Sequence, residues 1–331
     1  MTATSGEMKA RGGPRGTTVR NLFRDYPLVP LIVLLVLLVV FVALARPGTV
    51  NASWAAFAAR QAAVLAILAG SQTITMLTGG IDLSVGYVAS MSGFVVATWV
   101  HQPGGWVAGV GVAFAVAALA GLVNGVGVGV FKVHPLIVTL GMGLIVLGLS
   151  NVWQLEMVQT GSGVPAEIRE VGVGLTFDVI PNNMIVFIPI AVALILGLRR
   201  TGYGRLLYAI GDNPVAARLS GVRSWQVIVV LYVISALLAA VAGLLQAGLS
   251  NTASVTLVQV YLLPSVAAAV IGGTSILGGR GGYSGTIVGA LIITVLTGFL
   301  SIILPEPWRL IVFGSIVVLV AALYTRVTAQ A

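Results

Sequence analysis

The sequence predicts an all-α polytopic membrane protein with about ten transmembrane helices, some of them broken or glycine-rich, and with both termini in the cytoplasm. Hydrophobic residues make up 58% of the 331 residues and charged residues 8%, whereas soluble domains have roughly 45–50% and about 25%. Several charge-free apolar runs reach the length of about 18 residues or more that a bilayer core of about 30 Å requires. The basic residues also concentrate on one side of the alternating spans, which sets the orientation.

Ten apolar spans account for this pattern. They are expected at 28–45, 58–78, 82–100, 106–130, 135–153, 182–198, 226–247, 259–272, 285–303 and 307–324. With the N-terminus inside, the cytoplasmic segments hold 13 of the 17 basic residues, namely Lys9, Arg11, Arg15, Arg20, Arg24, Lys132, Arg199, Arg200, Arg205, Arg218, Arg223, Arg280 and Arg326. The long outer loop 154–181 carries four acidic residues against one arginine. The net charge of +8 therefore reflects the positive-inside rule and does not indicate nucleic-acid binding.

The N-terminal region divides into a tail and a first span. Residues 1–26 are basic and are expected to form a disordered cytoplasmic tail. The apolar run that follows ends in Ala43-Leu44-Ala45, which resembles the cleavage site of a signal peptide. Because this run has about 19 residues, against roughly 7–15 in a signal peptide, we expect an uncleaved span. Residues 27–326 are then one transmembrane domain.

Segment 199–225 is a basic loop in which the sequence predicts a short helix. Asn213 can cap its first turn, Pro214 suits the first helical position, and Gly221 can end it in the left-handed conformation. Two interpretations are open at this point. The helix is either presented to another protein, or it belongs to a basic loop that only anchors the topology.

The segment 77–86 contains a glycine pair followed by a carboxylate. Gly79-Gly80 breaks an apolar helix, and Asp82 or Ser84 can cap the next one. The segment is either a turn between spans or a broken helix at membrane depth, which is tolerated where backbone is buried or lines a cavity. An aspartate at the bilayer centre costs roughly 2.5–3.5 kcal/mol, so Asp82 lies at an interface or serves a function.

A second glycine-rich segment, 271–285, does not have the pattern of a nucleotide-binding loop. Seven of its fifteen residues are glycine, but the chain has no G-x-x-x-x-G-K-[ST] motif. There are no cysteines, and the two histidines, His101 and His134, are far apart. We therefore expect no catalytic residue, no metal site and no cofactor.

Small and polar residues within the spans indicate how the helices pack. Glycine recurs every fourth residue at Gly121, Gly125 and Gly129, and again at Gly281, Gly285 and Gly289. Such stripes let helix backbones approach closely in lipid. Four polar residues are candidates to line a translocation path, although hydrogen bonding between helices is the alternative for each amide: Gln72, Asp82, Asn124 and Asn151.

Several motifs together resemble the permease subunits of bacterial ribose-type ABC transporters, which import monosaccharides. They begin with Gly79-Gly80-Ile81-Asp82-Leu83-Ser84-Val85-Gly86, Asn124-Gly125 and Pro135-Leu136-Ile137-Val138-Thr139-Leu140-Gly141. They continue with Tyr203-Gly204-Arg205, Ala209-Ile210-Gly211-Asp212-Asn213, Ala216-Ala217-Arg218-Leu219-Ser220-Gly221 and Gly272-Gly273-Thr274-Ser275. The motifs run in family order from the second span to the tenth, and the first 26 residues lie outside the resemblance.

The resemblance implies a ten-span permease in the bacterial inner membrane that performs no covalent chemistry. It implies three partners: cytoplasmic ABC ATPase subunits, a periplasmic or lipid-anchored sugar-binding protein, and a second permease chain of the same or a similar sequence. The helix in 199–225 would be the coupling segment that docks on the ATPase, with candidate residues Gly211, Asn213, Pro214, Ala216, Ala217, Arg218 and Gly221. The substrate stays open among sugars, polyols and sugar-like signals.

Three other functions agree less well with the sequence. An ABC permease for branched-chain amino acids would share the span count, but the run 79–86 favours sugars. A self-sufficient secondary transporter usually needs ionisable groups at the membrane midplane, and only Arg60 and Asp82 are candidates for that depth. An intramembrane enzyme would need paired carboxylates, metal ligands or a nucleophile with its base, and the spans contain none of these patterns.

Overall fold

The computed structural model describes residues 28–157, 163–177, 180–305, 307–309, 311–312 and 314–315, and these are mostly helical. The helices are α1 (Leu28–Ala45), α2 (Ala52–Met76), α3 (Val85–Thr98), α4 (Gly105–Gly129), α5 (Pro135–Met157), α6 (Ala166–Val173), α7 (Asn182–Arg200), α8 (Gly202–Asp212), α9 (Pro214–Leu219), α10 (Ser224–Ser250), α11 (Leu262–Ile271) and α12 (Tyr283–Ile303). Turns of 3₁₀ helix at Trp99–His101 and Gln259–Tyr261 extend α3 and precede α11. Strands β1 (Leu175–Thr176) and β2 (Ile180–Pro181) pair antiparallel, with Leu175 opposite Pro181.

Seven of these helices are long and apolar enough to cross a membrane: α1, α2, α4, α5, α7, α10 and α12. The predicted spans at 82–100 and 259–272 are shorter than expected, since their helical segments cover Val85–His101 and Gln259–Ile271. The predicted tail 1–26 lies outside the described residues, as does most of the predicted span 307–324.

Helix α10 lies at the centre of the bundle, where it packs against α2, α3, α4 and α6. The predicted glycine stripe on α4 forms its contact with α10. A Cβ at Gly125 would lie 2.6 Å from the Cα of Val229, and one at Gly121 would lie 2.8 Å from the Cα of Val233. The prediction that this stripe marks close helix approach is therefore confirmed.

The second stripe serves the same purpose between α12 and α11. A Cβ at Gly285 would overlap the carbonyl oxygen of Gly272, and one at Gly289 would overlap that of Ala268. The hydroxyl groups of Thr73 and Thr286, 2.7 Å apart, also join α2 to α12. Helix α12 is thus held on two sides by close backbone packing and a buried polar contact.

The predicted outer loop and the predicted basic loop lie at opposite ends of α10. Gly172 of α6 packs against Gly248 near the C-terminal end of α10, whereas the Tyr203 hydroxyl of α8 donates to the Val227 carbonyl near its N-terminal end at 2.9 Å. A helix of 27 residues is about 40 Å long. The acidic and basic segments are therefore separated by the length of a membrane span.

Candidate functional site

The carboxylate of Asp82 is completely buried and accepts three hydrogen bonds. Its Oδ1 accepts from the backbone N–H of Ser84 at 2.9 Å and from the Ser84 hydroxyl at 2.6 Å. Its Oδ2 accepts from the hydroxyl of Ser235 on α10 at 2.8 Å. Among the described residues, all these partners are neutral donors, so dipoles rather than a basic side chain stabilise the carboxylate.

A buried glutamine fixes the backbone of the same residue. The Gln72 side chain on α2 donates from Nε2 to the Asp82 carbonyl at 2.8 Å and accepts from the Asp82 N–H at 3.3 Å. The two bonds satisfy both backbone groups of Asp82 in a segment that lacks regular secondary structure. Gln72 thereby holds the break between α2 and α3 in one conformation.

Two further helices contact this segment through polar side chains. Asn124 on α4 donates from Nδ2 to the Ser84 hydroxyl at 2.9 Å. The Thr139 hydroxyl on α5 accepts from the Leu83 N–H at 3.0 Å and donates to the Pro135 carbonyl at 2.9 Å. We call the buried set Gln72, Asp82, Ser84, Asn124, Thr139 and Ser235 the Asp82 network.

The depth of the Asp82 network follows from its contact on α10. Ser235 lies 11 residues after the start of the helix at Ser224, which corresponds to about 16 Å of its length of about 40 Å. Asp82 therefore sits inside the helix bundle, nearer the basic end of α10 than the acidic end. The Ser84 side chain makes no capping bond to α3. The Asp82 carboxylate accepts the backbone N–H of Ser84, the residue just before this helix.

Two polar atoms beside the Asp82 network have no hydrogen-bond partner in the described part of the chain. They are Oδ1 of Asn124 and the hydroxyl of Tyr232. Gly80 leaves room for the tyrosine, because a Cβ there would lie 2.9 Å from the Tyr232 hydroxyl. Buried polar groups normally have partners, so this part of the bundle retains unused hydrogen-bonding capacity.

The structure brings together three of the four polar residues that the sequence analysis proposed for a translocation path. Gln72, Asp82 and Asn124 belong to the Asp82 network, whereas Asn151 lies exposed on α5. No sequence pattern predicted Ser235 or Thr139 as members, or Tyr232 beside the network. A serine or tyrosine inside an apolar helix carries no local signal of a partner, and Ser235 is 153 residues from Asp82.

The second candidate region is the basic segment 199–225, which forms α8 and α9. Asn213 caps α9 as predicted, since its Oδ1 accepts from the N–H groups of Val215 and Ala216 at 3.0 Å. Pro214 is the first helical residue, and Gly221 follows with φ of +84°. The predicted short helix is confirmed, but the sequence analysis missed α8, whose buried side consists of Gly204, Leu207 and Ile210.

The candidate coupling residues divide into an exposed group and two residues that pack inward. Asn213, Pro214, Ala216, Arg218 and Gly221 are exposed. Ala217 is only 6% exposed and packs into the chain's own core, and Gly211 packs against Leu77 and Gly279. The exposed apolar side chains of α9 are instead Val215 and Leu219, which are 56% and 85% exposed.

Helix α8 is also tied to the second glycine-rich segment. The Tyr208 hydroxyl donates to the Gly281 carbonyl at 2.9 Å. At the end of the preceding helix α7, Arg199 Nη2 donates to the Ser284 hydroxyl at 3.1 Å. Burial raises the pKa of Tyr208, an effect that the nearby Arg199 opposes. The tyrosine hydroxyl accordingly keeps its proton, and its bond to Gly281, at neutral pH.

Comparison with known proteins shows the family to which this chain belongs. A family described as "Branched-chain amino acid transport system / permease component" matches residues 55–321, which include the Asp82 network and helices α8 and α9. The chain belongs to this permease family. The permease is a multi-pass membrane protein, in keeping with the seven long apolar helices among the described residues.

Curated relatives of the permease carry import-permease names. The chain is 34% identical over 266 residues to the ribose import permease protein RbsC of Escherichia coli strain K12, covering 80% of this chain and 83% of the relative. It is 32% identical over 275 residues to the fructose import permease protein FrcC of Rhizobium meliloti, covering 80% and 75%. It is 31% identical over 259 residues to the autoinducer 2 import system permease protein LsrC of Yersinia pseudotuberculosis, covering 76% and 72%. No solved structure matches the chain.

Proposed function

We propose that this chain is the membrane-spanning permease subunit of an ABC importer for a monosaccharide or a related sugar or polyol. The observation that carries this proposal is the similarity to ribose, fructose and autoinducer 2 import permeases over three quarters or more of the chain. The family description names branched-chain amino acids, but the names of these relatives favour a hydroxylated solute. The permease itself performs no covalent chemistry, and ATP hydrolysis on a partner supplies the energy.

The proposed topology has ten spans in the inner membrane of a bacterium. Both termini lie in the cytoplasm. Nine spans are the seven long helices and the shorter segments at α3 and α11, and the tenth lies at 307–324. The basic residues around α8 and α9 face the cytoplasm under the positive-inside rule, and the segment with Glu167 and Glu170 faces outward. The separation of these segments along α10 supports this arrangement.

Helix α9 is the proposed docking element for the ATPase. It has six residues, too few for stability alone in water, but Asn213 caps it and Ala217 anchors it to the chain. This leaves Val215, Leu219 and Arg218 exposed for a partner. The complete importer would also contain a second permease chain and an external sugar-binding protein.

Transport would then depend on two states of the permease, open to one side of the membrane at a time. Nucleotide and sugar shift the balance between them only as far as they bind the two states with different affinity. In this mechanism the Asp82 network would hold α2, α4, α5 and α10 together through buried hydrogen bonds. Other helices would move relative to this fixed group. Its complete burial favours this role over direct contact with the sugar.

Uptake of labelled sugar tests the proposal directly. Cells that express the full chain with its ATPase and binding-protein partners should accumulate ribose, fructose or a related sugar. Accumulation should cease when the ATPase carries a substitution that abolishes hydrolysis. Accumulation of leucine, isoleucine or valine instead would establish the amino-acid alternative, and uptake without the ATPase would establish a secondary transporter.

A further inference from the structure

A cavity of about 250 Å³ lies between α2, the 259–271 segment and α12. Its polar lining consists of Gln61, Tyr261, Thr294, Thr297, Ser301 and Arg309. Gln61 lies in the N-terminal half of α2, and Thr294, Thr297 and Ser301 lie in the C-terminal half of α12. Tyr261 belongs to the 3₁₀ turn, and Arg309 follows α12. The opposite end of α2 reaches the segment that contacts α8, so the cavity lies toward the end of the molecule away from α9.

Two hydroxyl groups of the cavity, those of Thr297 and Ser301, are available as acceptors. Thr297 donates its proton to the Ile293 carbonyl at 2.7 Å, and Ser301 donates to the Gly298 carbonyl at 2.7 Å. Both hydroxyl protons are therefore bonded within α12. The lone pairs of the two hydroxyl oxygens are free to accept hydrogen bonds from other groups. A ligand rich in O–H donors would complement this wall.

The lining also includes an unused donor. The Nε of Arg309 is buried and has no hydrogen-bond partner among the described residues. The Tyr261 hydroxyl lies 3.5 Å from Gln61 Oε1, at the limit of a hydrogen bond. Beside Tyr261, Gln246 is only 5% exposed, and its Oε1 also has no partner among the described residues. Gln246 does not line the cavity, so the unpaired donor of the lining, Arg309 Nε, is the group that suits a sugar oxygen.

The backbone beside the cavity is interrupted within an apolar region. The helical segment Gln259–Ile271 has a 3₁₀ turn at its start and is shorter than the roughly 20 residues of a continuous membrane-spanning helix. Interrupted helices at membrane depth occur where the backbone is buried or lines a water-filled cavity. In transporters, such helix breaks mark substrate sites. The position of Tyr261, in the 3₁₀ turn and on the cavity wall, meets this condition.

We propose that this cavity is a binding site for a polyhydroxylated solute during its passage through the permease. The inference rests on the proposed function and deepens it by assigning the residues that contact the solute. Thr297 and Ser301 accept hydrogen bonds from its hydroxyl groups, and Arg309 donates one. The site is distinct from the Asp82 network, which positions helices and does not contact the solute.

Gly298 provides a selective test, because it lines the cavity and a Cβ there would meet no atom within 4 Å. Gly298→Leu should occupy space that the solute needs and lower sugar uptake by about tenfold or more, which corresponds to about 1.4 kcal/mol of lost binding. Gly298→Ala should lower it less. The matched control is Gly148→Leu on α5, where a Cβ also meets no atom within 4 Å, and uptake should stay near wild type at equal protein level.

Protection from labelling tests the site without the partners. The chain has no cysteine, so Ser301→Cys gives the purified full chain a single thiol in the cavity. A transported sugar, or D-ribose and D-fructose if none is transported, should slow maleimide labelling about threefold at twice the dissociation constant, by the factor 1 + [L]/Kd. Ser254→Cys, at an exposed position outside the cavity, should label at the same rate with and without sugar.

The two experiments separate the site from the function. If the wild type transports a sugar but Gly298→Leu transports it as well as Gly148→Leu does, the cavity assignment is wrong and the proposed function stands. Protection at Ser301→Cys in a chain that transports no sugar with its partners would support the site and contradict the function. Absence of both transport and protection would overturn both.

Discussion

The backbone N–H of Gly279 donates a 3.0 Å hydrogen bond to the carbonyl oxygen of Leu77, and this bond joins the two glycine-rich segments of the permease. Gly211, at the end of α8, packs against both partners, because a Cβ there would overlap Leu77 and lie 2.5 Å from the Gly279 nitrogen. Three segments that are separate in sequence therefore meet at one point. This junction lies between α9 and the break that carries Asp82.

Gly211→Ala should destabilise the permease by about 1–3 kcal/mol, because the added methyl group overlaps backbone atoms that cannot move aside. The melting temperature of the purified chain in detergent measures this effect. Gly197→Ala on α7 is the control, since a Cβ there meets no atom within 4 Å, and it should leave the melting temperature unchanged or raise it slightly. Equal melting temperatures for the two variants would contradict the close packing at Gly211.

Gly125→Leu should prevent α4 from packing on α10 and should lower the amount of folded permease in the membrane severely. The physical reason is the 2.6 Å separation between a Cβ at Gly125 and the Cα of Val229, which leaves no space for a side chain. Gly111 lies on the same helix, and a Cβ at this position meets no atom within 4 Å. The Gly111→Leu variant should therefore accumulate normally. Quantitative immunoblotting of membranes measures the level of both variants. Normal accumulation of Gly125→Leu would show that α4 and α10 can move apart to admit the side chain.

Asp82→Asn should be tolerated much better than Asp82→Leu. Asparagine keeps an oxygen for the two donors of Ser84, and its amide can donate to the Ser235 hydroxyl. Leucine leaves three buried donors without an acceptor, at a cost of about 1–3 kcal/mol each. We expect near-normal membrane levels for Asp82→Asn and a large loss for Asp82→Leu, measured by fluorescence-detected size-exclusion chromatography. Equal levels for both variants would contradict the assigned hydrogen bonds.

Ser235→Ala tests the contact between Asp82 and α10 by itself. Loss of a hydrogen bond to a charged group costs roughly 1.5–3 kcal/mol, which should lower the melting temperature of the purified chain. Ser92→Ala on α3 is a matched control, because this buried serine bonds only to the Val88 carbonyl of its own helix. A similar loss in both variants would show that Ser235 contributes no more than an ordinary helical serine.

Leu219→Glu should weaken ATPase docking and leave the permease folded, because this side chain is 85% exposed on α9. Phe177→Glu changes a residue that is 87% exposed beside the β1–β2 hairpin and should not affect docking. Ala217→Glu should instead reduce the amount of folded permease, since Ala217 is buried in the chain's own core. Co-purification of the ATPase with the permease measures docking. Wild-type co-purification and uptake in Leu219→Glu would exclude this face of α9 as the coupling surface.

The proposed orientation predicts which sites an impermeant thiol reagent reaches in intact cells. A single cysteine at the exposed position Glu167 should react from outside, whereas Ser220→Cys should react only after the membrane is permeabilised. The chain's lack of native cysteine makes the labelling specific. Labelling of Ser220→Cys in intact cells would reverse the topology.

The sequence by itself determined the features that depend on neighbouring residues. The apolar runs located the long helices, Asn213 and Pro214 located the start of α9, and the glycine stripes identified the faces of α4 and α12 that pack closely. Each of these rests on short-range physics, namely transfer of a side chain to an apolar environment, capping of free N–H groups, and helical periodicity. Local patterns were less informative for α6 and α8, which are short helices outside the apolar runs.

The tertiary structure alone decided which polar residues meet and how deep they lie. The contact of Asp82 with Ser235 spans 153 residues, and the bond of Gly279 to Leu77 joins segments separated by the nine α-helices α3 to α11. The tertiary structure also shows that Ala217 points into the core and that the helical segments at 85–101 and 259–271 are shorter than expected. These outcomes depend on how the helices pack against each other, and no local sequence pattern specifies that packing, because a buried serine or glycine has the same local propensity whatever lies opposite it.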